Sequence, residues 1–169
     1  MQDLDVRKVK KNIKALEKLE NDSLLEPELA HKLALIECCG WVEEKMHCMM
    51  LDYIDKKVSN IVLREKVKDS IKNTNYGFRY TDFKDKLVAT LGETEVIRIE
   101  SFVKRYKDSY FDFEHFKHIL SELKKKRDEC AHTYARIGAS TGFGFTQIEE
   151  KLNYVNKGLN IFQNFVRRR

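Results

Sequence analysis

Arg127, Asp128 and His132 are the residues whose types and spacing could do chemistry. Histidine titrates near neutrality, so it can take a proton from a hydroxyl or return one to a leaving oxygen. Arginine keeps its charge and can grip a phosphate through two parallel hydrogen bonds, stabilising charge that develops there. An acid four residues before a histidine shares its helix face, where a carboxylate holds the imidazole and raises its pKa. This set suits cutting RNA without a metal, because the ribose 2′-hydroxyl is the nucleophile and no serine or cysteine is required. The bare spacing is common. On an ideal helix Arg127 and His132 stand about 140° apart. They converge only if the helix distorts near Ala131, or if a second subunit supplies the same segment across a two-fold axis.

The element that must position them is a long helix opening at Asp112, a plausible N-cap. Its apolar stripe is Phe113, Phe116, Leu120 and Leu123, and the next positions on that stripe are Arg127 and Ala131. Arg127 therefore stands where a bundle expects leucine. Buried there, it needs an anionic partner or a ligand. Alternatively it snorkels, with its stem on the core and its head in water. Glu37, the one charge between Leu33 and Val42, is open to two readings: an acidic member of the site and partner for Arg127, or a solvent-facing glutamate.

The remaining pattern predicts helices throughout. Val6, Val9, Ile13 and Leu16 make a seam over 3–20. A second helix starts at Pro27 and runs to about Val58, with Leu35, Cys39, Val42, Met46, Met49 and Tyr53 on one face. Gly40 in its middle suggests close approach by another backbone or a large side chain, with Trp41 a candidate to fill the contact. Shorter helices follow Ser59 (Ile61, Leu63, Val67, Ile71), Thr81 (Phe83, Leu87, Val88, Leu91, closing at Gly92) and Thr94 (Val96, Ile99, Val103, Tyr106). Asn73 to Gly77 reads as a turn and Gly138 to Gly144 as the most flexible stretch. A capping box at Thr146 and Glu149 opens the last helix, whose seam is Ile148, Leu152, Val155, Leu159, Phe162 and Val166. These elements predict an all-α, up-and-down helical bundle with additional short helices, one domain over 1–169. Heptad-like seams make a homodimer natural.

Composition narrows the function classes. One proline and seven glycines among 169 residues disfavour a many-stranded fold. A net charge of +5 permits nucleic-acid binding without demanding it. Lys124 to Lys126 and Arg167 to Arg169 could touch phosphates or simply be solvated. Cys38, Cys39, Cys48 and Cys130 form no C-x-x-C pair and read as reduced core thiols of a cytoplasmic protein. No apolar run is long enough for a membrane. His115, His118 and His47-Cys48 could ligate zinc only if they met in space, and surface histidines are the favoured reading. The Met46, Met49 and Met50 cluster reads as core or dimer interface, and no cofactor motif is present.

The segment Arg127-Asp128-Glu129-Cys130-Ala131-His132-Thr133-Tyr134 resembles the R-x4-6-H motif of HEPN domains, in its R-x4-H form. Leu33 to Glu44 resembles the second-helix signature of helical HEPN proteins in bacterial toxin and defence systems. Asn73 to Phe78 is similar to their middle loop. The matches run from about residue 33 to 144. The resemblance implies a HEPN-type bundle that dimerises so that two motifs face each other in one metal-independent endoribonuclease site. Arg127 and His132 would then be catalytic, with Asp128 in support and no cofactor. The longer pattern R-x4-H-x-Y implies that Tyr134 is the position adenylylated by a nucleotidyltransferase-type antitoxin. The alternative is a catalytically silent HEPN module that binds RNA, nucleotide or a protein partner. A third reading is a structural helical adaptor.

Overall fold

Three kinds of local signal start the long helices. Asp5 caps α1 (Val6–Asn21), its carboxylate accepting from the Arg7 backbone amide at 2.9 Å. Pro27 occupies the first turn of α2 (Pro27–Lys57), where its missing N–H costs nothing. Asp112 precedes α6 (Phe113–His132) and accepts from the His115 amide at 2.6 Å, as its sequence position predicts. Between them lie α3 (Ile61–Asn73), α4 (Tyr80–Leu91) and α5 (Glu93–Arg105), and α7 (Phe145–Arg167) closes the chain. The computed structural model describes residues 4–73, 77–106, 110–132 and 142–167, the side chains of Lys72, Asn73, His132, Val166 and Arg167 excepted. Among the described residues there are seven helices and no strand, which makes the protein an all-α helical bundle.

α2 is the central element. It packs on α1, α7, α6, α3 and α4, while α6 and α7 pack on each other. Its buried residues include Ala34, Leu35, Cys38, Cys39, Trp41, Val42, Met46, Met49 and Met50. They spread over most of its circumference, because neighbours cover it on several sides. The seams predicted for α1, α2, α6 and α7 lie in one cluster of buried residues, with Val6, Leu16 and Tyr53 partly covered and the side chain of Val166 outside the described residues. Where α4, α6 and α7 meet, Tyr80, Phe83, Phe113, Phe116 and Phe162 pack ring against ring, with centroids 5.1 Å apart for Tyr80 and Phe113. Such pairs add about 0.5–1.5 kcal/mol each beyond burial.

Several local expectations are overturned. Thr81 and Thr94 cap nothing, since both fall inside the first turns of α4 and α5. Gly92 instead ends α4 and starts α5 within one residue, at φ +84°, a conformation that favours glycine. The predicted box at Thr146 and Glu149 is displaced by two residues: Gly144 N–H donates to Gln147 Oε1 at 3.1 Å. Gly40 meets nothing within 4 Å of a would-be Cβ. The close approach occurs at Gly158 of α7, where a Cβ would lie 2.4 Å from the Phe116 ring. Ile61 and Leu63 of α3 are exposed, because only the later part of that helix, at Val67 and Ile71, reaches the core. Tyr106 likewise ends α5 exposed.

No helix of the described residues is long and apolar enough to cross a membrane.

Candidate active site

The α6 stripe runs inward through Phe113, Phe116, Leu120 and Leu123, all buried, and then meets Arg127. The Arg127 side chain is 30% exposed, between the core and the surface. Its Nη2 donates to Glu43 Oε1 at 2.7 Å. The guanidinium lies over the fully buried Phe78 ring, 5.5 Å from its centroid. Its Nε is buried, stands 3.5 Å from Asp128 Oδ1, and donates a hydrogen bond to no acceptor among the described residues. The cation on the apolar stripe is therefore met by a carboxylate from α2 and a ring from the segment before α4.

Asp128 is engaged on the other side. Lys124, one turn earlier on α6, donates to its Oδ2. That bond holds the Asp128 carboxyl below the usual carboxylate range, with the positive charges of Lys124, Arg127 and Arg79 adding to the effect and burial opposing it. Asp128 is thus shared between Lys124 and Arg127. The His132 side chain, which it was expected to hold, lies outside the described residues, as do Thr133 and Tyr134.

α6 is continuous through Ala131 to His132. A regular helix keeps positions five apart about 140° from each other. Helix distortion before His132, one of the two routes to convergence, is not what the backbone shows. Ala131 itself is exposed.

Glu37 is not the partner of Arg127. It is exposed and accepts from Asn12 Nδ2 of α1 at 3.0 Å. It lines a groove between α1 and α2 with Asn12, Ile36, Gly40 and Trp41. The reason is the arrangement of neighbours around α2. α1 lies along the side carrying Glu37, whereas α6 lies along the side carrying Cys39, whose thiol donates to the Leu123 carbonyl at 3.8 Å. Glu43, one turn beyond Cys39, is the acid that reaches α6. Its place four residues after a core-facing cysteine was the available signal. Phe78 and Lys124 were also missed as parts of the site.

The thiols sit in surroundings that suppress their ionisation. Burial pushes Cys38 up to about 12, and raises Cys39 and Cys130 as well. Among the described residues no three His, Cys, Asp or Glu side chains stand together in a way that could hold a metal ion. His115 packs edge-on against Tyr154, with ring centroids 4.8 Å apart.

Comparison with family models, with curated proteins and with solved structures finds no match to the chain.

Proposed function

We propose that the chain is a HEPN-type, metal-independent endoribonuclease of a toxin or defence system, with one active site assembled from two copies. The observation that carries this reading is Arg127: a guanidinium on a core stripe, fixed by Glu43 and Phe78, with its side chain still partly exposed. A guanidinium held in place beforehand can stabilise charge that develops on a phosphate. In the reaction, His132 takes the proton of the ribose 2′-hydroxyl and O2′ attacks the adjacent phosphorus. The bond from phosphorus to O5′ breaks, and O5′ leaves with a proton taken from water, while the imidazolium of His132 returns its proton to solvent. The products are a 2′,3′-cyclic phosphate and a 5′-hydroxyl. Arg127 stabilises the charge on the phosphoryl oxygens, and Asp128 supports the site. The continuity of α6 separates Arg127 from His132 within one chain. It therefore favours a homodimer in which each copy completes the other's site. A nucleotidyltransferase-type antitoxin acting on Tyr134 would be the natural control.

The experiment is incubation of mixed RNA in EDTA with wild type, Arg127→Ala and His132→Ala. The reading requires cleavage by wild type alone, with cyclic phosphate ends, and unchanged helicity in both variants. Cleavage that persists in His132→Ala would refute it.

One observation favours a second reading. The charge of Arg127 already has a carboxylate partner at 2.7 Å. A silent HEPN module that binds RNA, nucleotide or protein would keep such a pair as structure, and would bind without cutting.

A further inference from the structure

Between α1 and α6, α2 leaves an apolar stripe uncovered. Leu29 is 46% exposed, Leu33 37% and Ile36 47%, and the exposed Gly40 continues their four-three-four spacing. On a regular helix these four positions fall within about 60° of one another. Both flanks of the stripe are covered. α1 meets Glu37 through Asn12, and α6 meets Cys39 and Glu43. Single exposed aliphatic residues are ordinary, but three in register form a patch. The stripe stands proud at Leu29 and Leu33 and is hollow at Gly40. A Cβ at Gly40 would have nothing within 4 Å, so packing within the chain gives no reason for a glycine in the middle of this helix. The hollow opens into the groove of about 720 Å³ between α1 and α2, whose walls include Val9, Ile36, Gly40 and Trp41.

We propose that a second copy of the chain docks on this stripe, the two α2 helices running antiparallel across a two-fold axis that passes between Ile36 and Glu37. The knob and the hollow lie on one stripe, with Leu33 seven residues before Gly40. The two-fold axis therefore seats Leu33 of each copy against Gly40 of the other, and one contact used twice fills both hollows. The absent Cβ lets the partner helix approach closely. Charge agrees with this register. Lys32 and Glu43 share the α6 flank, about 20° apart around the helix, and the axis keeps like flanks together. At 1.5 Å per residue, Lys32 of the second copy lies about 3 Å out of register with Glu43, within reach of a lysine side chain. Since Glu43 holds Arg127, each copy sends a cation to the other's Arg127–Glu43 pair. Both Arg127 side chains then stand on one face of the dimer. On the α1 flank Glu37 approaches its own copy, and Lys8 lines the same groove and offsets the like charges. The proposal rests on the homodimer of the reading above and not on its chemistry.

The test is the solution mass of the full chain, by sedimentation velocity and light scattering, with helicity followed by circular dichroism. Wild type should sediment at twice the 20.0 kDa of one chain. Leu33→Lys and Ile36→Lys place like charges across the axis and should each reduce the mass to that of one chain. Gly40→Leu fills the hollow and should do the same. Its helicity should hold or rise, because leucine is the better helix former and nothing in its own chain touches it. Val62→Lys alters an exposed aliphatic residue of α3, 67% exposed, and should stay dimeric. A monomeric wild type overturns the proposal. So does a dimer that survives in Gly40→Leu or in either lysine variant with its helicity intact, and so does dissociation by Val62→Lys. If a lysine variant loses its helicity, Gly40→Leu decides. The enzyme reading fails separately. A dimer that persists through every α2 variant leaves the composite site to another face, whereas an α2-mediated dimer that cuts no RNA in EDTA keeps this interface and loses the ribonuclease.

Discussion

The two ends of α6 stand on one stripe and meet different surroundings. From Phe113 to Leu123 every stripe residue is buried, and α7 comes so close that only glycine fits at position 158. One turn later the stripe carries Arg127, and the neighbours change with it. Glu43 and Asp128 stand where apolar side chains stood before, Phe78 lies against the guanidinium, and Lys124 brings a second cation. Packing at the first end is irreplaceable in shape, because interiors tolerate little change in volume. At the second end the interactions are charged and partly exposed, so they contribute little to stability and leave donors and charge for a ligand. One helix thus carries a rigid anchor at one end and, at the other, a charged cluster that folding does not require.

The sharpest way to break this contrast is at the anchor. Phe116→Ala should cost about 3–5 kcal/mol, read from urea unfolding, because the fully buried ring has contacts on α4 and α7. A loss similar to that of an exposed residue would show that the aromatic cluster is not the anchor. Gly158→Ala should be the next largest, at roughly 1–3 kcal/mol from overpacking, partly offset by the helix preference of alanine. Stabilisation instead would mean that α7 can draw back from Phe116.

Arg127→Ala sharpens the other side of the comparison. Its loss of stability should be about 1 kcal/mol or less, since both partners of the Glu43 pair are partly exposed. A double-mutant cycle with Glu43→Ala should give a coupling within about 0.2–1 kcal/mol. On the proposed ribonuclease reading, RNA cleavage should nevertheless vanish in Arg127→Ala. If stability falls as far as in Phe116→Ala, Arg127 belongs to the core and not to a site.

The smallest effect is a pH dependence. The carboxyl of Asp128 ionises more readily in the folded chain than in the unfolded one. Folding therefore releases protons near that pKa, and the stabilisation is present above the unfolded value, about 4. It is lost as pH falls through the lower folded value. Lys124→Met removes the main cause of the shift. Urea midpoints measured at pH 7 and at pH 3 should then lie closer together than in wild type. An unchanged gap would assign the acid sensitivity to other carboxylates.

Much of the bundle was legible in the residues because helix periodicity and caps are local. Pro27 and Asp112 announced the starts of α2 and α6, and the seams of α1 and α7 named core residues in advance. The misreadings at Thr81, Thr94 and Thr146 were local too. Each had a capping residue type, but the chain turned at a glycine two residues earlier, or in the bend before Tyr80. Gly40 and Gly158 show where local reasoning stops. Both are mid-helix glycines with the same propensity cost, and only packing distinguishes the one that touches Phe116 from the one that touches nothing.

The sequence by itself determined an all-α chain and the stripe that carries Arg127, because periodicity within one helix is written in consecutive residues. Tertiary structure alone decided that Glu43 and not Glu37 answers that arginine, and that Phe78 lies against it. The physical reason is that side chains from separate helices meet according to which faces the packed helices turn toward one another. No spacing within a single element encodes that choice.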